Sequence, residues 1–369
     1  MNTSFFQQKF SEYYAKHRDS INVPEARSRE YGAGVNGKID FRHVSFPSND
    51  ALRDFLIQDA PLYASYSAAR YERPAAKPMP NKGFVSADLV FDLDKTYAEE
   101  HPEKHGAAFC PHCLERARQD AARFYDEFLL KDYGFGKSDV AINFSGSKGY
   151  HFHIRTPAVQ QLSSAARKEL CDYAGALEVS PEKLVTKQAG ALVGPSAASS
   201  GWSKKVFNYA QQFALTADTQ AWRAMGAGSR TAKHAAQNNA ELASRLERGD
   251  WSWKNLEKSF TALATEAIRK TRVELDAPVT FDLSRLIRIP NTLHGDSCLT
   301  AKVLQSLDAF APDKDAVAFR GAIEVTPNKT LALEFGGTTF ELEDGKTKEL
   351  PLAAGLLLLR KGYAVLVGL

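Results

Sequence analysis

The period of apolar and polar positions changes several times along the chain. Near the start, 4-SFFQQKFSEYYAKH-17 places its apolar residues at helical spacing, and strand-like pieces separated by turns follow as far as Asp94. The stretch 87-ADLVF-91 is largely apolar and rich in strand formers, which predicts a strand that runs into 90-VFDLDK-95. Successive side chains of a strand point to opposite faces, so Asp92 and Asp94 share one face while Phe91 and Leu93 pack on the other. In 114-LERARQDAARFYDEFLL-130, Leu114, Ala117, Ala121, Phe124, Phe128 and Leu129 fall on one helical stripe that Gly134 and Gly136 end. Two strands around a glycine turn are expected over 138-SDVAINFSGSKGYHFHIRT-156. Between 159 and 270 the texture becomes Ala, Lys, Glu, Gln and Ser, interrupted by 189-AGALVGPSAASSG-201 and 225-MGAGSR-230, which predicts a helical insertion with exposed loops. Strands are expected to resume near 271-TRVELDAPV-279 and at 286-LIRI-289. A hairpin is expected at 330-TLALEF-335 and 338-TTFELED-344 around Gly336-Gly337. The pattern is that of an α/β protein whose chemistry lies in two blocks flanking a helical insert.

Composition narrows the class. The 369 residues are 44% hydrophobic and 25% charged, the balance of an ordinary folded protein. A net charge of +3 is compatible with a polyanionic partner without arguing for one. Charges and amides interrupt every apolar run of the first 19 residues, so no signal peptide is expected, and 352-LAAGLLLL-359 is too short to cross a bilayer. A cytoplasmic protein follows. There, 110-CPHC-113 suits a metal better than a disulfide.

The acidic strand end is the first chemical signal. Two carboxylates about 4 Å apart repel by roughly 4 kcal/mol at an effective dielectric near 20, and a divalent cation turns that cost into a binding site. An ordinary strand end opening a turn is the bland alternative. In 145-SGSKGYHFHI-154, Gly146 and Gly149 let backbone N–H groups approach an anion, with Ser145, Ser147, Lys148 and His151 adding donors and charge. A glycine hairpin with a solvated lysine has the same composition, and either His151 or His153 could be a plain core histidine. The segment 285-RLIRIPNTLHG-295 offers Arg288 and His294, although an arginine on the polar side of a strand is ordinary. Either Asp276, at a strand end, or Asp282, at the start of the next, could complete a carboxylate trio. In 101-HPEKHGAAFCPHC-113, Cys110 and Cys113 close a tight turn around a tetrahedral ion, with His101 and His105 as further ligands and His112 ranked below them. A redox thiol pair is the alternative.

Taken alone, 90-VFDLDKT-96 also resembles the first motif of haloacid-dehalogenase-type phosphatases, but that family predicts glycine where this chain has Lys95, and a late acidic pair that 295-GDSCLTAKV-303 lacks. The ordered set 29-REY-31, 68-AARYERP-74, 87-ADLVFDLD-94, the knuckle at 101–113, 144-FSGSKGYHFHI-154 and 274-ELDAPVTFDLSRLIRIPNTLHG-295 resembles the small catalytic subunit of archaeal and eukaryotic DNA primase. The resemblance implies the primase catalytic fold. A mixed β-sheet core spans 1–158 and 271–369, with a zinc knuckle near 98–116 and a helical insertion subdomain over 159–270. It implies DNA-templated nucleotidyl transfer that makes short RNA, or DNA, primers on single-stranded DNA. A related primase-polymerase of repair or plasmid replication is the same-chemistry alternative. By residue, it implies Asp92, Asp94 and Asp276 as ligands of two Mg²⁺ or Mn²⁺ ions, with Asp276 preferred to Asp282. Ser145, Ser147, Lys148, His151, Arg288 and His294 would hold the nucleotide, and His101, His105, Cys110 and Cys113 a structural Zn²⁺. The implied partners are a primase large subunit, template, and NTPs or dNTPs, within nucleoid-associated replication machinery. Glu30 matches a position implicated in initiation. Two departures stand out: Asp296, where relatives commonly carry a basic residue, and Ser147, an arginine in some relatives.

Overall fold

The computed structural model describes residues 3–94 and 109–367. The chain forms two compact units, one of residues 1–171 with 274–369, the other of residues 172–273.

In the first unit, a five-stranded antiparallel sheet is built from β1 (Arg29–Gly34), β2 (Phe41–Val44), β3 (Tyr63–Tyr71), β4 (Phe84–Ala87) and β10 (Leu286–Arg288), with β3 at its centre. A four-stranded antiparallel sheet runs in the order β11 (Val303–Leu304), β6 (Val140–Phe144), β7 (Gly149–Ile154), β5 (Leu89–Asp94). The alternation of β5 is that of its sequence: Phe91 and Leu93 are buried, whereas Asp92 and Asp94 are partly exposed. The helix Pro111–Arg123, continued by a wider turn over Phe124–Leu130, covers the apolar face. Phe124 meets Phe91 edge-on at 5.0 Å and Phe152 at 5.2 Å, all three rings fully buried. Each such ring contributes about 1.5–3 kcal/mol by burial, which fixes the sheet under the two aspartates.

A smaller sheet of β12 (Ala322–Pro327), β15 (Lys348–Pro351) and β16 (Ala364–Leu366), with the hairpin of β13 (Leu331–Phe335) and β14 (Thr338–Leu342), ends this unit. The apolar run at 352–359 is a buried helix, Leu352–Arg360. No helix among the described residues is long and apolar enough to cross a membrane. In the second unit, helices Gly201–Thr216, Asn239–Glu247 and Glu257–Thr271 accompany buried Trp222 and Trp251.

Three local expectations are corrected. Residues 271–279 are not a strand: Ala277–Phe281 is a short helix with Asp276 as its N-cap, because Pro278 suits the first helical turn and has no N–H for a sheet. The stretch 87–91 is not continuous either, since β4 ends at Ala87 and β5 begins at Leu89 around a buried Asp88. Within 189–201, part of the expected loop is the second arm of a hairpin, β8 (Thr186–Gln188) with β9 (Ala191–Val193).

Candidate active site

Strand register assembles the centre of the site. The antiparallel β5–β7 pairing sets Asp92 opposite His151 and Asp94 opposite Gly149. Glycine is required there: a Cβ on Gly149 would lie 2.2 Å from the Leu93 carbonyl oxygen. Asp276 joins from a distant segment, its N–H donating to the Asp92 carbonyl at 2.9 Å. Asp282 is engaged elsewhere, accepting from Ser284 N–H at 3.0 Å and Ser284 Oγ at 2.7 Å and facing Arg285 at 3.6 Å.

The electrostatics of this cluster are unbalanced. Burial first, then the charges of Asp94 and Asp276, push the Asp92 carboxyl up to about 8, against the opposing pull of Lys148 and Lys38. Asp92 Oδ1 is buried without a hydrogen-bond partner among the described residues, and His151 Nε2 stands 3.5 Å away. Lys148 Nζ lies 3.4 Å from Asp94 Oδ2, with both side chains well exposed. Among the described residues no group of three His, Cys, Asp or Glu side chains is placed to hold a metal ion.

The β6–β7 turn is organised from within. Ser145 Oγ accepts the N–H groups of Gly149 at 3.0 Å, Lys148 at 3.4 Å and Ser147 at 3.5 Å, so these amides serve the turn and the hydroxyl proton remains to donate. Gly146 adopts φ +87°, and a Cβ there would lie 2.8 Å from the Cβ of His294, bringing the turn against the second sequence block. His151 Nδ1 faces the Asn143 amide at 3.3 Å, and burial followed by the Arg288 charge pulls its pKa down to about 3. The ring is therefore neutral near pH 7. With the amide donating to Nδ1, Nε2 carries the hydrogen and faces Asp92. His153, one pleat further on, is a buried core histidine stacked on Tyr66.

Arg288, opposite Ser65 on β3, lies over the Tyr63 ring at 5.7 Å, and its charge acts on both His151 and His294. His294 accepts the Asp296 N–H at Nδ1 over 3.1 Å, which leaves the hydrogen on Nε2. Burial first, then Arg288, holds its pKa well below the usual imidazole value.

Sequence reasoning missed Lys38. It stands in the β1–β2 loop, which Asp40 holds by accepting the N–H groups of Val35, Asn36 and Gly37 at 2.8, 2.9 and 2.9 Å. Its exposed charge acts on Asp92 and on His294 alike. The only signal was the turn 34-GVNGKID-40, which carries no mark of a site. Glu30 is buried and accepts from Arg42 Nε at 2.8 Å, while Lys82 Nζ lies 3.4 Å from its other oxygen. In 110-CPHC-113, Cys110 caps the helix Pro111–Arg123, its Sγ accepting Cys113 N–H at 3.5 Å. Both thiols are buried and His112 is exposed. His101 and His105 lie outside the described residues.

Paired carboxylates at the end of an antiparallel sheet thus stand beside a glycine turn, the half-buried Arg288 and the buried His294. The chain belongs to the DNA primase small subunit family, whose model matches residues 91–305. It is 32% identical to the DNA primase small subunit PriS of Methanothrix thermoacetophila, over 98% of each chain. Its identity to PriS of Archaeoglobus fulgidus is 32% and to that of Methanococcoides burtonii 30%, in each case over 98% of this chain and 97% of the relative.

Proposed function

We propose that this protein is a primase catalytic subunit that forms phosphodiester bonds on a single-stranded DNA template. The observation that carries the reading is the buried, unpartnered Oδ1 of Asp92 among like charges, a donor set that fits hard divalent cations such as Mg²⁺ or Mn²⁺. Asp92, Asp94 and Asp276 would hold two such ions, which, when bound, acidify an attacking 3′-hydroxyl and neutralise departing pyrophosphate.

The other residues bind and orient. Lys148, the Ser145 hydroxyl and Ser147 hold phosphate oxygens on the β6–β7 side, with Arg288 and the Nε2 hydrogen of His294 opposite. His151 Nε2, 3.5 Å from Asp92, would offer its hydrogen to a phosphate oxygen of the bound nucleotide. Because Arg288 and His294 are already positioned and desolvated, they stabilise charge gathering on the transferred phosphoryl group without reorganising. Residues 172–273 carry 14 Lys and Arg against 9 Asp and Glu, which supports salt-sensitive, sequence-independent contact with template phosphates. Cys110 and Cys113 would bind structural zinc with His101 and His105, and a primase large subunit would be the protein partner.

The test is primer synthesis by the purified chain on single-stranded DNA with labelled NTPs or dNTPs and Mg²⁺ or Mn²⁺, with and without a large subunit. Template-dependent products that disappear in Asp276→Asn are expected. Undiminished synthesis by that variant would overturn the assignment.

A further inference from the structure

Asp296 puts a carboxylate beside the two groups assigned to the triphosphate, which by charge alone weakens anion binding. Its surroundings give it another use. Oδ1 accepts the Tyr63 hydroxyl at 2.5 Å, and its backbone N–H fixes the hydrogen of His294 on Nε2 by donating to Nδ1 at 3.1 Å. Tyr63, 5% exposed, meets every other member of the group. Its ring stands edge-on to His294 at 6.0 Å and lies beneath the Arg288 guanidinium at 5.7 Å. Arg360, the last residue of the C-terminal helix Leu352–Arg360, donates from Nε to the Gly295 carbonyl at 2.5 Å and sets its charge beside the Tyr63 hydroxyl. The packing admits only glycine at 295, since a Cβ there would lie 2.5 Å from the Tyr63 ring.

We infer that Tyr63, Asp296 and Arg360 form a brace that presents Arg288 and His294 to a nucleoside triphosphate, each acting as a positioning residue. The inference rests on the reading that Arg288 and His294 bind the triphosphate. The brace spends the Asp296 charge on the phenol. The phenol then holds the arginine by its face and the histidine by its edge, and Arg360 ties both to the C-terminal helix. Fixing two donors before the ligand arrives lowers the ordering cost of binding.

The experiment measures dissociation constants of the full chain for ATP with Mn²⁺, kcat and KM for primer extension, and melting temperature. The chains compared are the unaltered protein, Arg288→Ala, Tyr63→Phe, Asp296→Asn, the double variant Tyr63→Phe/Asp296→Asn, and Asp296→Lys. Arg288→Ala is expected to weaken binding most. Tyr63→Phe and Asp296→Asn each weaken it by about 3- to 10-fold, the scale of one immobilised side chain. The double variant is no weaker than the poorer single one, because the two residues act as one unit. Asp296→Lys weakens binding despite its added positive charge. Wild-type affinity in Tyr63→Phe and Asp296→Asn, multiplying losses in the double variant, or tighter binding by Asp296→Lys would each overturn the brace. So would a fall in melting temperature with affinity unchanged. If Tyr63→Phe does not fold, Asp296→Asn and Asp296→Lys decide the matter alone. If Arg288→Ala binds ATP as the unaltered chain does, it is the triphosphate reading that fails; if only the brace variants are silent, the brace alone fails.

Discussion

Asp88, the residue just before β5, and Asp92, within that strand, differ in everything that surrounds them. Asp88 is fully buried and compensated: Arg29 Nη2 reaches it at 2.9 Å, Arg70 Nη2 at 2.7 Å and Arg155 Nε at 3.1 Å, while its carbonyl accepts Arg167 at 2.8 Å. Asp92 faces two more carboxylates, and its Oδ1 is without a hydrogen-bond partner among the described residues. The same side chain is a structural clasp in one place and a cation-binding candidate in the other. Cations supplied by the chain make the first stable on its own, whereas the second leaves positive charge to be supplied from outside.

The largest expected effect comes from Asp92→Asn, which keeps shape and removes charge. Primer synthesis should fall by about 10²- to 10³-fold, as removal of a group that stabilises transition-state charge does. Stability should move the other way. The folded-state pKa of Asp92 is raised from 3.8 to about 8, so between those values the folded chain holds a proton that the unfolded chain has released. Stability without divalent ions therefore falls as pH rises through that window. Asp92→Asn removes this slope, and a scan at pH 8 in a chelator should show a higher melting temperature than the unaltered chain.

Next comes Asp88→Asn, which leaves the buried guanidinium groups of Arg29 and Arg70 and the half-buried one of Arg155 around a neutral side chain. Breaking a buried pair from one side costs about 3–5 kcal/mol, so denaturant titration should show a marked loss of stability, with folded molecules retaining synthesis. Equal stability of Asp88→Asn and the unaltered chain would remove the contrast. At the knuckle, Cys110→Ser should release stoichiometric zinc, read by metal analysis, and lower the melting temperature more than the intrinsic rate. The smallest effect is expected from Lys38→Ala. This loss of one exposed charge should raise nucleotide KM about 3- to 10-fold without moving the melting temperature, and Lys38→Arg should restore it.

The elements that followed hydrophobic period were readable in the sequence: the helix ending near Gly134, the strands around Gly146, and the hairpin at Gly336-Gly337. What failed did so for local reasons. The alternation in 274-ELDAPV-279 imitates a strand, but Pro278 places those residues in a helical turn, and Asp276 becomes a cap. Asp88 was hidden because 87-ADLVF-91 scans as one apolar run, and no period reveals three arginines converging from distant segments. Each block of the site was visible by composition. The pairing of Asp92 with His151, the approach of Gly146 to His294 and the reach of Lys38 belong to register and packing, which one-dimensional pattern does not carry.

The most direct measurement is Mn²⁺ binding by electron paramagnetic resonance from pH 6.5 to 9, on the unaltered chain and Asp92→Asn. Because a buried carboxyl near 8 must lose its proton to bind a cation, affinity in the unaltered chain should rise by up to about tenfold per pH unit below 8 and level off above it. In Asp92→Asn both the site and its pH dependence should vanish. Equal Mn²⁺ affinity in the two proteins, or binding indifferent to pH across that range, would contradict the account.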